Sequence, residues 1–293
     1  METIDRLSGR PPRAFLVALA ALGVAFAVPL FRLGQFALDA LNSYILLVPA
    51  IGLGLVWAER KTLPAASGPA RIPAGILAAI GLAILLAYWL PPGLGSEWSE
   101  RSSLTLTTLS FLCLLAAICG WFLGGLVLRA VVFPLCFLIL MVPLPTFVAH
   151  GFQAFLQEAS AGMAGAFFAM AGMPVFRHGL LGFQLPGINL EVAPQCSGLN
   201  ASLALFITSL PAGYLFLRTP WKRAVFTLAV LPLAILRNGF RIFTIGELCV
   251  HIGPQMIDSY IHRTGGWIFF LISLGPLFLL LLLLGRGEPR PAR

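Results

Sequence analysis

Apolar runs close to spanning length, closed by prolines, glycines or basic residues, set the layout of the chain. A helix that crosses a bilayer needs roughly 20 mostly apolar residues. Hydropathy predicts eight such segments: 14–30, 42–57, 72–90, 104–120, 127–142, 199–217, 224–245 and 267–284. Glu59-Arg60-Lys61 ends the second, Pro91-Pro92-Gly93 follows the third, and Pro143 and Pro145 stop the fifth. Arg218-Thr219-Pro220-Trp221-Lys222-Arg223 separates the sixth from the seventh. The first run follows Arg10-Pro11-Pro12-Arg13 without a small-residue cleavage site before a soluble domain, so it is expected to be a retained span.

Two stretches break this rhythm. Residues 146–174 place His150, Gln153, Gln157, Glu158 and Ser160 mostly on one helical face, opposite Phe147 and Phe155. That pattern suits an interfacial or re-entrant helix, or one lining a polar cavity. Residues 175–195 read as extended pieces, Val175-Phe176-Arg177, then Phe183 to Leu185, then Ile188 to Val192, divided by a glycine-rich turn and Pro186-Gly187. A small hairpin outside the hydrocarbon is expected there. The predicted fold is an all-α integral membrane protein, a polytopic helical bundle of about eight transmembrane helices. One domain spans residues 1–293, with a small extracytoplasmic hairpin before Cys196.

Composition agrees with a bilayer. The chain of 293 residues is 59% hydrophobic and 10% charged, with a mean hydropathy of +0.93, whereas soluble domains are about 25% charged. The net charge of +8 would suggest nucleic acid in a soluble protein. Here the basic residues cluster at span ends, so topology explains them and no nucleic-acid partner is expected. By the positive-inside rule, Arg6, Arg10, Arg13, Arg60, Lys61, Arg71, Arg218, Lys222, Arg223, Arg286, Arg290 and Arg293 share one side. Asp39, Glu97, Glu100, Glu191 and Asp258 fall on the other, which puts both termini in the cytoplasm.

Topology then singles out three groups. Cys196 precedes the sixth span on the outer side. Arg237 and Arg241 stand 14 and 18 residues beyond Arg223, and at about 1.5 Å per residue Arg241 lies about 27 Å from the inner boundary, near the outer interface. His262 precedes the last span, again outside. A thiolate is a strong nucleophile and an imidazole can move its proton. A fixed guanidinium can hold an oxyanion. Ser197-Gly198 lets the chain bend into a helix start, where free amides lower a thiol pKa.

Each group has a plainer reading. Cys196 could be a small packed hydrophobe or pair with Cys249. Arg237 and Arg241 could be snorkelling anchors, or could bind lipid phosphate together with Asn238. His262 could be an interface residue, and His150, His178 and His251 compete with it. None of the five cysteines has metal-ligand spacing, and neither a metal nor a cofactor is expected. The alternative to an enzyme is a non-enzymatic membrane protein that handles an anionic lipid or polysaccharide precursor through Arg237 and Arg241.

The run Leu190-Glu191-Val192-Ala193-Pro194-Gln195-Cys196-Ser197-Gly198-Leu199, then Asn238-Gly239-Phe240-Arg241-Ile242, then His262 followed by Gly265-Gly266, resembles the exosortase/archaeosortase family. Phe133-Pro134 with Met141-Val142-Pro143-Leu144-Pro145, Gly172-Met173-Pro174-Val175 with Arg177 and Gly179, and Asn42-Ser43-Tyr44 with Leu47-Val48-Pro49 and Trp57 extend the likeness over about 40–275. The resemblance implies a membrane cysteine transpeptidase. Its substrates would be exported proteins with a C-terminal tail of a short motif (Pro-Glu-Pro in the bacterial type), a membrane helix and basic residues. An amine or glycan would accept the acyl group, and membrane lipid would surround the reaction. It also implies Cys196 as nucleophile, Arg241 as oxyanion-holding or substrate-orienting cation and His262 as acid/base. Ser197, Gly198, Asn238, Arg237 and Glu191 would be supporting residues. The chain departs from the family pattern at Pro194, where an acid is frequent, at Asn200, where an arginine is common, and at Tyr44, where a histidine follows the serine.

Overall fold

A computed structural model describes residues 12–38, 42–90, 98–258 and 266–286. These are mostly helical and form two compact units, Met1–Thr146 and Phe147–Arg293.

The first unit contains α1 (Arg13–Ala25), α2 (Ala27–Phe36), α3 (Tyr44–Glu59), α4 (Arg71–Trp89), α5 (Glu100–Leu123), α6 (Gly125–Ala130) and α7 (Val132–Phe137), followed by a 3-10 turn, Leu138–Met141. Its closest pairing is α4 on α5. Small residues allow the approach: a Cβ on Gly81 would meet the Leu114 side chain at 3.0 Å, and one on Gly120 would meet Ala74 at 3.4 Å. Ser99 caps α5 by accepting from the Ser102 amide.

The second unit contains α8 (Thr146–Met170), strands β1 (Phe176–His178), β2 (Gly182–Leu185) and β3 (Ile188–Glu191), and a 3-10 turn at Pro194–Cys196. Then come α9 (Leu199–Phe216), α10 (Pro220–Leu228), α11 (Val230–His251), a 3-10 turn at Pro254–Asp258 and α12 (Gly266–Gly285). Leu205, Leu217, Phe226, Val230 and Leu277 knit α9 to α12 into one apolar cluster. The strands form an antiparallel sheet in the order β1-β2-β3. The expected single hairpin is therefore a three-stranded meander, because Phe176–His178 also pairs with Gly182–Gln184. Gly187, at φ 82°, supplies the left-handed residue of the Pro186-Gly187 turn. Phe183, Leu185 and Leu190 face a core with Phe168 of α8 and Ile242 of α11, while Gln184, Asn189 and Glu191 are exposed.

Among the described residues, five helices are long and apolar enough to cross a membrane, or up to seven if each bent pair counts as one span. This is a multi-pass membrane protein, with fewer clear spans than the eight that hydropathy predicts. Prolines explain part of the difference. Helices break at Phe26, Val131 and Ala229, each three residues before a proline (Pro29, Pro134 and Pro232) that lacks the N–H to close the turn. The first break bends α1 against α2 by 61°. The predicted fifth span is thereby divided into short pieces, and Gly124 at φ 88° separates the first of them from α5. The second is α3, whose 16 residues reach about 24 Å, short of the roughly 30 Å hydrocarbon.

Candidate functional site

The Cys196 segment begins where β3 ends. Val192 N–H extends the β2–β3 ladder by donating to the Leu181 carbonyl at 3.0 Å. Ala193 is extended, and Pro194 opens a 3-10 turn in which the Cys196 amide closes on the Ala193 carbonyl at 2.8 Å. Gly198 then enters α9 at φ 75°, in the left-handed region where a side chain is strained. Space forbids one as well, since a Cβ there would stand 2.7 Å from Asn238 Cγ and 2.9 Å from Arg237 Nη2.

Side chains from two helices hold this segment by its carbonyl oxygens. From α8, Gln157 donates to Val192 and Gln153 donates to Pro194 at 2.8 Å. From α11, Asn238 Nδ2 donates to Cys196 at 2.8 Å and Arg237 Nη2 donates to Gly198 at 3.2 Å. Alternate carbonyls from Val192 to Gly198 are thus each tied to a side-chain donor. Gln153 and Gln157 are one turn apart on α8, and Arg237 and Asn238 are adjacent on α11, so two rigid helices set the position of one irregular turn. The helices themselves approach closely. A Cβ on Gly239 would overlap Met163, and one on Gly246 would overlap Phe168.

Cys196 is half-buried, packs against the core beneath the sheet and forms no disulfide. The alternative pairing with Cys249 is not made; Cys249 is a buried free thiol. Ser197 is buried at 2% exposure. Arg237 and Asn238 are buried at 7% and 1% exposure, yet Arg237 Nε and Asn238 Oδ1 have no hydrogen-bond partner among the described residues. Ser160 Oγ on α8 shares that condition at 0% exposure. Arg241 is half-buried and follows Arg237 by one turn of α11, on the same face. Glu191 is exposed at the end of β3. His262 lies outside the described residues.

Of the competing histidines, His251 pairs with Glu247 at 3.1 Å on the last turn of α11 and is 72% exposed. His178 lies on β1, separated from β3 by β2, and His150 is exposed near the start of α8. The sequence pattern placed Cys196, Gly198, Arg237 and Asn238 as candidates, and the structure brings these four together. It missed the work of Gln153 and Gln157, whose polar face reads in sequence as that of an interfacial or re-entrant helix or of one lining a polar cavity. Their signal was the spacing of two amides by four residues on the helix that precedes an extended segment.

The family model described as Transmembrane exosortase (Exosortase_EpsH) matches residues 36–279, most of the chain. No curated protein and no solved structure matches.

Proposed function

The chain belongs to the transmembrane exosortase family, and from that premise we propose that it is a membrane-embedded cysteine protease or transpeptidase. It cleaves the C-terminal sorting tails from exported proteins and passes the trimmed proteins to an amine or glycan acceptor. In this reading it resides in a bacterial inner membrane with both termini cytoplasmic and the site at the outer side. The observation that carries the proposal is the paired grip of Asn238 on the Cys196 carbonyl and Arg237 on the Gly198 carbonyl. It supports a held thiol beside a cationic helix face.

The substrate helix docks from the bilayer and brings its extramembrane motif to Cys196. The thiolate adds to a peptide carbonyl, and Arg241 stabilises the oxyanion so formed. Collapse breaks the C–N bond, His262 protonates the departing amine, and a thioester remains on Cys196. An acceptor amine or water then attacks the thioester and returns the thiol. Arg237 is a poorer choice for the cation, because it is buried at 7% exposure, where Arg241 is half-buried, and its Nη2 holds the Gly198 carbonyl. That same bond weighs against the two arginines jointly holding a lipid phosphate.

The test is processing of an exported reporter whose C-terminus carries Pro-Glu-Pro, an apolar helix and a basic tail. Cys196→Ala should abolish processing while the protein accumulates normally. Undiminished processing by that variant would sink the proposal.

A further inference from the structure

Among the described residues, the sheet ahead of Cys196 has an open edge. The Val192 N–H bond to the Leu181 carbonyl sets the phase of the β2–β3 ladder. Ile188 and Leu190 turn their backbone groups toward β2, as Val192 turns its N–H, so the alternation of antiparallel pairing turns those of Asn189 and Glu191 outward. Neither residue makes a backbone hydrogen bond to another described segment, and both side chains are exposed. Such an edge is a template for a further strand, and proteins usually blunt it with proline, a bulge or a covering element. Here β3 contains no proline and pairs with β2 in unbroken register, leaving the Glu191 charge as its guard. The opposite edge differs. By the same alternation β1 turns only Arg177 outward, which offers one residue where β3 offers two.

We infer that the outer edge of β3 binds an extended peptide by strand addition, with the backbone of Asn189 and Glu191 exchanging N–H and C=O bonds with it. The occupant is the stretch of the exported substrate that precedes its membrane helix, and to that extent the inference rests on the proposed peptide cleavage. Three features select this occupant. Outward groups two residues apart are spaced about 6.8 Å, which matches an extended backbone. The inner carbonyls from Val192 to Gly198 are taken by Gln157, Gln153, Asn238 and Arg237, so the outward edge is where main-chain pairing remains. The strand then runs into Cys196 five residues after Glu191, so a peptide paired there comes level with the thiol within about five residues. Main-chain bonds would supply affinity, and contacts of alternate side chains with the exposed sheet face would supply selectivity.

Proline substitution tests the edge in the full-length protein, using the same reporter. Asn189→Pro and Glu191→Pro each remove one outward donor without touching a β2 bond. Each should raise KM by about tenfold, the value of one hydrogen bond of about 1.4 kcal/mol, with a smaller change in kcat. Asn189→Ala keeps the backbone donor and should restore most of the affinity. Arg177→Pro, on the other edge, should leave KM as it was. Wild-type KM in both β3 proline variants would overturn the inference. Hydrogen exchange in Cys196→Ala gives a second reading independent of turnover. The Asn189 and Glu191 amides should become protected when the reporter binds, and bound reporter with unprotected amides also overturns the inference. Processing by Cys196→Ala would instead count against the cleavage mechanism, and the exchange measurement would still decide the edge.

Discussion

The α4–α5 and α8–α11 pairs use the same device and end differently. In both, glycine lets one helix close on the other: Gly81 and Gly120 in the first, Gly239 and Gly246 in the second. This is how helices associate where lipid gives no hydrophobic drive. The first pair also satisfies a fully buried hydroxyl between its helices, since Ser110 Oγ donates to the Gly81 carbonyl at 2.8 Å. The second pair sends its donors elsewhere. Gln153, Gln157, Arg237 and Asn238 all reach for the Cys196 segment, while Ser160 Oγ and Asn238 Oδ1 stay without partners among the described residues. An unmet buried polar group costs about 1–3 kcal/mol. Native folds tend to keep such costs at functional sites. One pair is finished as architecture; the other holds polar capacity beside a thiol.

The largest effect should come from Gly198→Ala. The left-handed backbone alone costs about 1–2 kcal/mol, and the new Cβ would overlap Asn238 and Arg237, the two α11 residues that grip the turn. Processing should fall by at least about a hundredfold, with faster exchange at Cys196 and Ser197. Gly23→Ala in α1, where nothing stands within 4 Å, should change neither. Equal losses in the two variants would erase the contrast between the regions.

A smaller effect should follow at Gln157. Leucine there removes the donor to the Val192 carbonyl and should cost about 1 kcal/mol, read as faster hydrogen exchange at Val192 and Cys196, whose amides are hydrogen-bonded. Gln157→Glu keeps the shape but presents acceptors to a carbonyl, so at neutral pH it should be worse than leucine. Protonation returns an O–H donor. The protonated form is the one that fits, so stability rises as pH falls through the carboxyl titration. Wild-type protein should show no such recovery. A Gln157→Glu variant whose exchange is indifferent to pH would show that the bond to Val192 does not hold the turn.

Much of this was legible in the chain. The positions of α4, α5, α9 and α12 follow from uninterrupted apolar runs, and Cys196 and the α11 face emerged from charge and depth alone. Hydropathy averages over a window, however, and so it ran through Phe26 and Val131, where a single missing N–H at Pro29 or Pro134 breaks the helix. The extended piece at Val175-Phe176-Arg177 was read, but its pairing with the next strand was not, because Phe176–His178 is exposed throughout and carries no alternation. The glutamine grip escaped for a different reason. Polar side chains on an amphipathic helix look alike in sequence whether they face water or a backbone carbonyl, and only the path of residues 192–198 distinguishes the two.

The finest test of the contrast sets two buried serines against each other, both at 0% exposure. Ser110→Ala removes a hydroxyl that has a partner. Interhelical hydrogen bonds of this kind average about 0.6 kcal/mol in membranes, so the melting temperature should drop slightly with processing unaffected. Ser160→Ala removes a hydroxyl that has none among the described residues, so the desolvation cost disappears and the melting temperature should hold or rise. If Ser160 is polar capacity kept for the reaction, processing should fall in the same variant. Stability and activity would then move in opposite directions at Ser160 and not at Ser110. A Ser160→Ala protein that melts lower, or that works as well as the parent, would place its hydroxyl in the same class as Ser110, and the α8–α11 pair would be architecture like the other.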